Sequence, residues 1–189
     1  MLRNELKIAI RFTLLTTVLL GILYPLAVTA FGHFFLRSQA DGGLIVTNGQ
    51  ITGSPLIGQN FTGDQYFHGR PSAAGNGYDA TSSGASNYAS SSQKLITRID
   101  GDITHYAAEN KSQPVPIDLV TASGSGLDPD ISPAAAMFQA ATVANARHLP
   151  LATVRDLVQR HVQRRQFGFL GEERVNVLLL NIDLDRLAH

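Results

Sequence analysis

Few groupings in this 189-residue chain have the residue types and spacing that chemistry needs. Ser91 and Lys94 share the serine–lysine spacing of penicillin-binding enzymes, where a lysine helps a serine to attack a carbonyl. The match fixes only two positions, and the companion Lys-Thr-Gly is nowhere in the chain. Ser123-Gly124-Ser125-Gly126 is a stretch whose successive backbone amides could form an anion nest ahead of a helix. No Lys-Ser/Thr closes it, so it is not a P-loop, and a flexible turn serving the next helix explains it as well. Asp118, Asp128 and Asp130 lie within 13 residues of one another and have the charge to attract cations. Asp beside Pro or a helix start is equally common as a turn or cap residue. Six histidines are scattered, and no pair shows the metal-ligand spacing of four with an acid between. His161 falls on an apolar helix face, where a bonded core residue is expected. The sequence names no catalytic residue and no metal ligand.

Composition narrows the classes further. Lys and Arg number 15, Asp and Glu number 15, and the formal net charge is zero. A balanced chain lacks the basic footprint of a nucleic-acid binder. Cysteine is absent, which excludes a disulfide framework, a thiolate metal site and a cysteine nucleophile together.

The 44% of hydrophobic residues are unevenly placed. Phe12 to Leu36 is a run of 25 residues without Asp, Glu, Lys or Arg. As a helix it reaches about 37 Å, enough to cross a ~30 Å hydrocarbon core with tilt. Arg3, Lys7 and Arg11 precede it against Glu5 alone, so residues 1–11 form a basic tail that should stay cytoplasmic. The expectation is a transmembrane helix at 12–36 and an extracytoplasmic soluble domain at 37–189. A cleaved signal peptide is the alternative, but its apolar core is usually only ~7–15 residues. Thr13, Thr17, Gly21, Pro25 and Thr29 recur at spacing four. Thr17, Gly21, Pro25 and Thr29 are candidates for packing against a partner helix. The plain alternative is a lone anchor kinked at Pro25.

The soluble part alternates strand-like and helix-like segments. Leu44–Thr47, Asn48-Gly49 and Gln50–Thr52 read as a β-hairpin. Residues 71–92 are rich in Ser, Ala and Gly and read as a long loop. A linker is the simple reading, but Tyr78, Asp79, Asn87 and Tyr88 are not linker residues. Gln93–Asn110 reads as a helix and Ile117–Thr121 as a short strand. Ser132 before Pro133 marks the start of a helix to about Arg147, stopped by Pro150. Thr153 and Asp156 resemble a capping pair for the next helix. Arg174–Leu184 reads as a strand buried on both faces. The fold class is therefore a single N-terminal transmembrane helix followed by a mixed α/β (α+β) extracytoplasmic domain.

Four blocks bear a family resemblance. They are Tyr66-Phe67-His68-Gly69-Arg70-Pro71-Ser72-Ala73, then Ser83-Gly84-Ala85-Ser86-Asn87. The third runs from Val115-Pro116-Ile117-Asp118 through Ser123-Gly124-Ser125-Gly126-Leu127-Asp128-Pro129 to Ile131-Ser132-Pro133-Ala134. The fourth holds Gly168-Phe169-Leu170-Gly171-Glu172 and Arg174-Val175-Asn176-Val177-Leu178, with Leu180-Asn181 and Leu184-Asp185. Together they resemble the C subunit of the bacterial high-affinity potassium-transporting P-type ATPase, the Kdp complex. Tyr88, Asp130 and Glu173 depart from its usual Leu, His and Pro.

The resemblance implies a small accessory subunit, and the basic tail then puts it in the cell inner membrane with its C-terminal domain in the periplasm. It implies three partners: a channel-like potassium-translocating subunit, an ATP-hydrolysing P-type subunit and a small single-span subunit. It also implies a catalytic chaperone role that raises the pump's ATP affinity, so ATP enters only through the complex. With about 11 cytoplasmic residues and no phosphate motif there, that effect must travel through the membrane helix or subunit contacts. Direct ATP binding at Ser123–Gly126 requires the opposite topology. The competing class is a membrane-anchored envelope serine hydrolase using Ser91.

Overall fold

A computed structural model describes residues 2–47, 49–110 and 113–187. The chain divides into two compact units, residues 1–44 and 45–189.

The first unit is a helix over Leu2–Phe35, long and apolar enough to cross a membrane. It is α-helical over Leu2–Thr16 (α1) and Tyr24–Phe35 (α2), with a π-helical stretch at Thr17–Leu23 between them. The wide turns have a local cause. Pro25 has no N–H and its ring crowds the carbonyl one turn back. The Tyr24 N–H bonds the Leu19 carbonyl, five residues back, so the helix widens just before the proline. A short helix, Arg37–Ala40 (α3), follows the break at Leu36. The helix extends through 2–11 ahead of the uncharged run, because nothing there stops it.

The second unit opens with the expected hairpin, β1 (Ile45–Thr47) against β2 (Gln50–Gly53). Its turn residue Asn48 lies outside the described residues. Residues 54–92 contain neither helix nor strand. Next come α4 (Gln93–Glu109), a 3₁₀ turn (Ile117–Leu119), β3 (Asp130–Ile131) and α5 (Pro133–Ala146). The chain ends with α6 (Leu151–His161), β4 (Val162–Gln163), β5 (Arg174–Asn176) and α7 (Val177–Leu187). β5 is the middle strand of an antiparallel three-stranded sheet, order β3-β5-β4. Ile131 and Val162 both pair with Val175.

The core lies between this small sheet and helices α5, α6 and α7. Ala135, Ala136, Ala140 and Ala144 are buried along α5. Their small side chains let Phe138, Val143, Val154, Leu157 and Val158 close the space. Ser132 caps α5, its Oγ accepting the Ala135 N–H at 3.0 Å. His148, in the left-handed region at φ 55°, ends that helix.

Three expectations need correction. The run Arg174–Leu184 is not one strand: pairing stops at Asn176 and α7 begins. Asn176 Oδ1 accepts the Leu179 N–H at 3.1 Å, capping that helix. Val177, Leu180, Asn181 and Leu184 then fall on one buried helical face. Continuous apolar runs do not distinguish strand from helix by periodicity. Ile117–Thr121 is not a strand: Ile117–Leu119 is a 3₁₀ turn, because only Leu119 and Val120 find the core after Pro114 and Pro116. Thr153 caps nothing: α6 starts at Leu151, and the Thr153 N–H bonds the Pro150 carbonyl.

Two buried amides hold the long irregular segment. Asn181 Oδ1 accepts the Phe67 N–H and its Nδ2 donates to the Phe67 carbonyl, both at 2.9 Å. Gln139 Oε1 accepts the His68 N–H at 2.8 Å and its Nε2 donates to the His68 carbonyl at 3.1 Å. Replacing Asn181 with Leu keeps the shape but leaves both Phe67 groups buried and unpaired. At about 1–3 kcal/mol per orphaned group, the loss should be about 2–6 kcal/mol. Denaturant unfolding of the full chain in detergent, followed by circular dichroism, measures it.

Candidate functional site

The irregular segment, the turn at 123–130 and the base of the β4–β5 hairpin meet around a cleft of about 640 Å³. Arg70 comes from the first, Asp128 and Asp130 from the second, and Glu172, Glu173 and Arg174 from the third. Asp118 and Ile117 close one side.

The cleft brings together the three acids singled out by spacing. Each is engaged. Asp128 Oδ2 meets Arg70 Nη1 at 3.0 Å, and its Oδ1 accepts the Asp130 N–H at 3.1 Å. Asp130 Oδ2 meets Arg174 Nε at 3.0 Å, while its Oδ1 accepts from Asn176 Nδ2 at 3.2 Å. Asp118 accepts from the Ser132 N–H at 2.7 Å and from the Ser132 hydroxyl at 3.1 Å. It thus aims the hydroxyl that caps α5. This geometry favours turn and cap support over attraction of free cations. Burial pushes the Asp130 carboxyl up from its ordinary range, with Asp128 adding to it and Asn176 and Arg174 opposing.

The turn Ser123–Gly126 lies next to this cleft but is internally satisfied. Ser123 Oγ accepts from the N–H groups of Ser125 and Gly126 at 3.2 and 3.0 Å. Ser125 Oγ accepts the Leu127 N–H at 3.1 Å. Two of the amides that would hold an anion thus have an acceptor inside the turn, and the Ser123 N–H bonds the Pro71 carbonyl at 3.1 Å. The carbonyls of the turn are used as well. The Ser125 carbonyl accepts from the Gly84 N–H, and the Gly126 carbonyl accepts from the Ser72 hydroxyl at 2.6 Å.

The loop 71–92 is thereby ordered by specific contacts. Ser72 Oγ also accepts the Tyr78 N–H at 2.8 Å, and the Tyr78 hydroxyl donates to the Arg70 carbonyl at 2.6 Å. Burial, then the charge of Asp128 and the nearby Tyr106, push the Tyr78 phenol up to about 12, so it remains a donor. Gly126 must be glycine. Its φ is +69°, and a Cβ there would stand 2.7 Å from Ala74.

Ser91 is exposed on the turn before α4. His161 is largely buried and pairs with Asp183 at 3.0 Å. Thr17, Gly21, Pro25 and Thr29 lie in the other unit, on the apolar helix. Thr17 and Gly21 sit within its π-helical stretch. Sequence spacing missed Arg70, Arg174, Asn176, Gln139 and Asn181. The signal available was a polar amide inside an apolar run, as at Leu180-Asn181.

The family described as KdpC, K+-transporting ATPase c chain, matches residues 6–186. The chain belongs to this family. It is 54% identical to the potassium-transporting ATPase KdpC subunit of Acidobacterium capsulatum, over 97% of this chain and 99% of that one. Identity to the Koribacter versatilis KdpC subunit is 49%, covering 97% and 95%. Identity to the Mycobacterium tuberculosis KdpC subunit is 48%, covering 98% and 100%.

The raised Asp130 value sets a pH dependence. A carboxyl held above its unfolded value binds its proton more tightly when folded. Its contribution is therefore most favourable below about pH 4 and is lost as pH rises through the raised value. Asp130→Asn removes this component. The stability of the natural chain minus that of the variant should grow as pH falls from 7 toward 4. Chemical unfolding of both across that range checks it.

Proposed function

We propose that this chain is a non-catalytic accessory subunit of an ATP-driven, high-affinity potassium uptake pump. The family match over residues 6–186 carries the reading. The single apolar helix at Leu2–Phe35 supports it. Its partners are a channel-like potassium-translocating subunit, an ATP-hydrolysing P-type subunit and a small single-span subunit. The subunit stabilises the assembly and acts as a catalytic chaperone that raises ATP affinity.

The basic excess before Phe12 puts residues 1–11 in the cytoplasm and residues 37–189 outside. ATP is then on the other side of the membrane from the folded unit. The amides of Ser125 and Gly126 are also already bonded to the Ser123 hydroxyl. The chaperone effect is therefore a coupling free energy carried by subunit contacts, not a nucleotide held by this chain.

The chain has no cysteine, so one introduced thiol is the sole label site. Ser90 is exposed in the loop before α4. Ser90→Cys should react with a membrane-impermeant maleimide in intact spheroplasts. Reaction only after the membrane is broken would reverse the topology.

The helix stripe gives a second test. Gly21 stands within the π-helical stretch, and a Cβ there would meet only the Thr17 methyl, at 3.8 Å. A leucine at Gly21 fits its own helix but holds a neighbouring one away. Gly21→Leu should lower the amount of this chain that co-purifies with the pump several-fold, while Leu20→Ile leaves it unchanged. Equal yields from both would reduce the helix to an anchor.

A further inference from the structure

The hairpin between β4 and β5 ends in a tip that the reading above does not use. Phe167, Phe169 and Leu170 are 88%, 71% and 46% exposed, three apolar side chains in four consecutive residues. The tip is nevertheless tightly built. Gln166 and Leu170 bond each other in both directions, at 3.0 and 2.9 Å. The Gly168 N–H bonds the Arg165 carbonyl at 3.1 Å, and the Phe169 N–H bonds the Gln166 carbonyl at 3.2 Å. Phe167 sits at φ 53°, a left-handed conformation that a bulky side chain adopts only against strain.

The charges around the tip are arranged in opposition. Arg164 and Arg165 precede it and Glu172 and Glu173 follow it, so the two signs cancel. Arg165 pairs with Glu172. Arg164 and Glu173 are exposed and form no ion pair among the described residues, which leaves a free positive charge on one arm and a free negative charge on the other. Glu172, Glu173 and Arg174 also line the cleft, so the tip continues from it.

We propose that the Phe167–Leu170 tip is a docking anchor that enters an apolar pocket on a neighbouring pump subunit outside the membrane. The pocket's rim carries an acid facing Arg164 and a base facing Glu173. The inference rests on the accessory-subunit reading. A protein pocket suits the tip better than a bilayer does. An anionic membrane that attracts Arg164 repels Glu173, the tip has no Trp, Tyr or Lys, and lipid does not require a fixed, strained loop. Nor does a second copy of the chain suit it. Two convex tips meeting head-on bury far less than the roughly 1,200 Å² of a stable interface, whereas a pocket encloses both rings. The opposed charges give one seating orientation.

The test uses the full-length chain co-expressed with the other pump subunits. Phe167→Asn removes the ring while keeping a residue that tolerates positive φ, so the hairpin persists. Its retention on the affinity-purified pump should fall about tenfold, as for loss of a central aromatic anchor. The isolated variant should unfold at the same temperature as the natural chain. A photoreactive phenylalanine at position 167 should cross-link to a pump subunit in intact membranes. Undiminished retention of Phe167→Asn, or cross-links only to lipid, to another copy or to nothing, overturns the inference while the natural chain still co-purifies. A natural chain absent from the purified pump overturns the accessory reading and this inference with it.

Discussion

Two side-chain amides take the place of a missing strand. Between β2 and α4 lie about forty residues without helix or strand, a length that compact domains rarely tolerate as free loop. Such a segment carries backbone donors and acceptors that cannot be buried unpaired. Asn181 from α7 and Gln139 from α5 each present one donor and one acceptor to consecutive residues, Phe67 and His68. That is the pairing a neighbouring strand would supply. It lets the Phe67 ring sit fully buried among the helices. With the backbone pinned there, Arg70 arrives opposite Asp128 and Ser72 arrives within reach of the Gly126 carbonyl. The cleft, the ordered 71–92 loop and the turn at Ser123 all follow from this attachment.

The same logic explains why the cleft's acids are poor candidates for free cation binding. Five carboxylates and two guanidinium groups line it, and an excess of negative charge at a potassium pump invites an electrostatic reading. Yet Asp128 and Asp130 each hold an arginine, and Asp118 holds the cap of α5. A carboxylate already bonded on both oxygens offers a cation little beyond its long-range field. That field is reduced by the adjacent guanidinium and screened beyond about 8 Å at physiological salt. These acids tie three distant chain segments together.

Much of the architecture was legible because it rests on local signals. Ser132-Pro133 announced α5, Asn48-Gly49 announced the hairpin, and the 25-residue uncharged run announced the long helix. What the sequence misled on was decided by tertiary context. The run from Val175 to Leu180 fits a buried strand or a buried helix equally. The choice falls to Asn176, which ends the pairing of β5 and caps α7 with one side chain. The site was half legible. Acids clustered in sequence were visible, whereas their partners Arg70 and Arg174 lie 58 and 44 residues from Asp128 and Asp130. No local pattern links such distant positions. The family blocks did so indirectly, since the first, third and fourth each contribute residues to the cleft.

The anchor helix shows how one residue shapes a long element. In an α-helix, positions four apart advance beyond a full turn, so a stripe at spacing four drifts round the axis. A π-helical turn holds more residues, so four steps fall short of a full turn. The π-helical stretch at Thr17–Leu23 lies between two α-helical stretches that carry the same stripe. Its shortfall offsets their advance. Thr13, Thr17, Gly21, Pro25 and Thr29 therefore stay closer to one line than they would in a regular helix. Pro25, which removes one donor and crowds the turn before it, is the local cause of that widening. A sequence feature that reads as a kink thus also keeps the small residues facing one side.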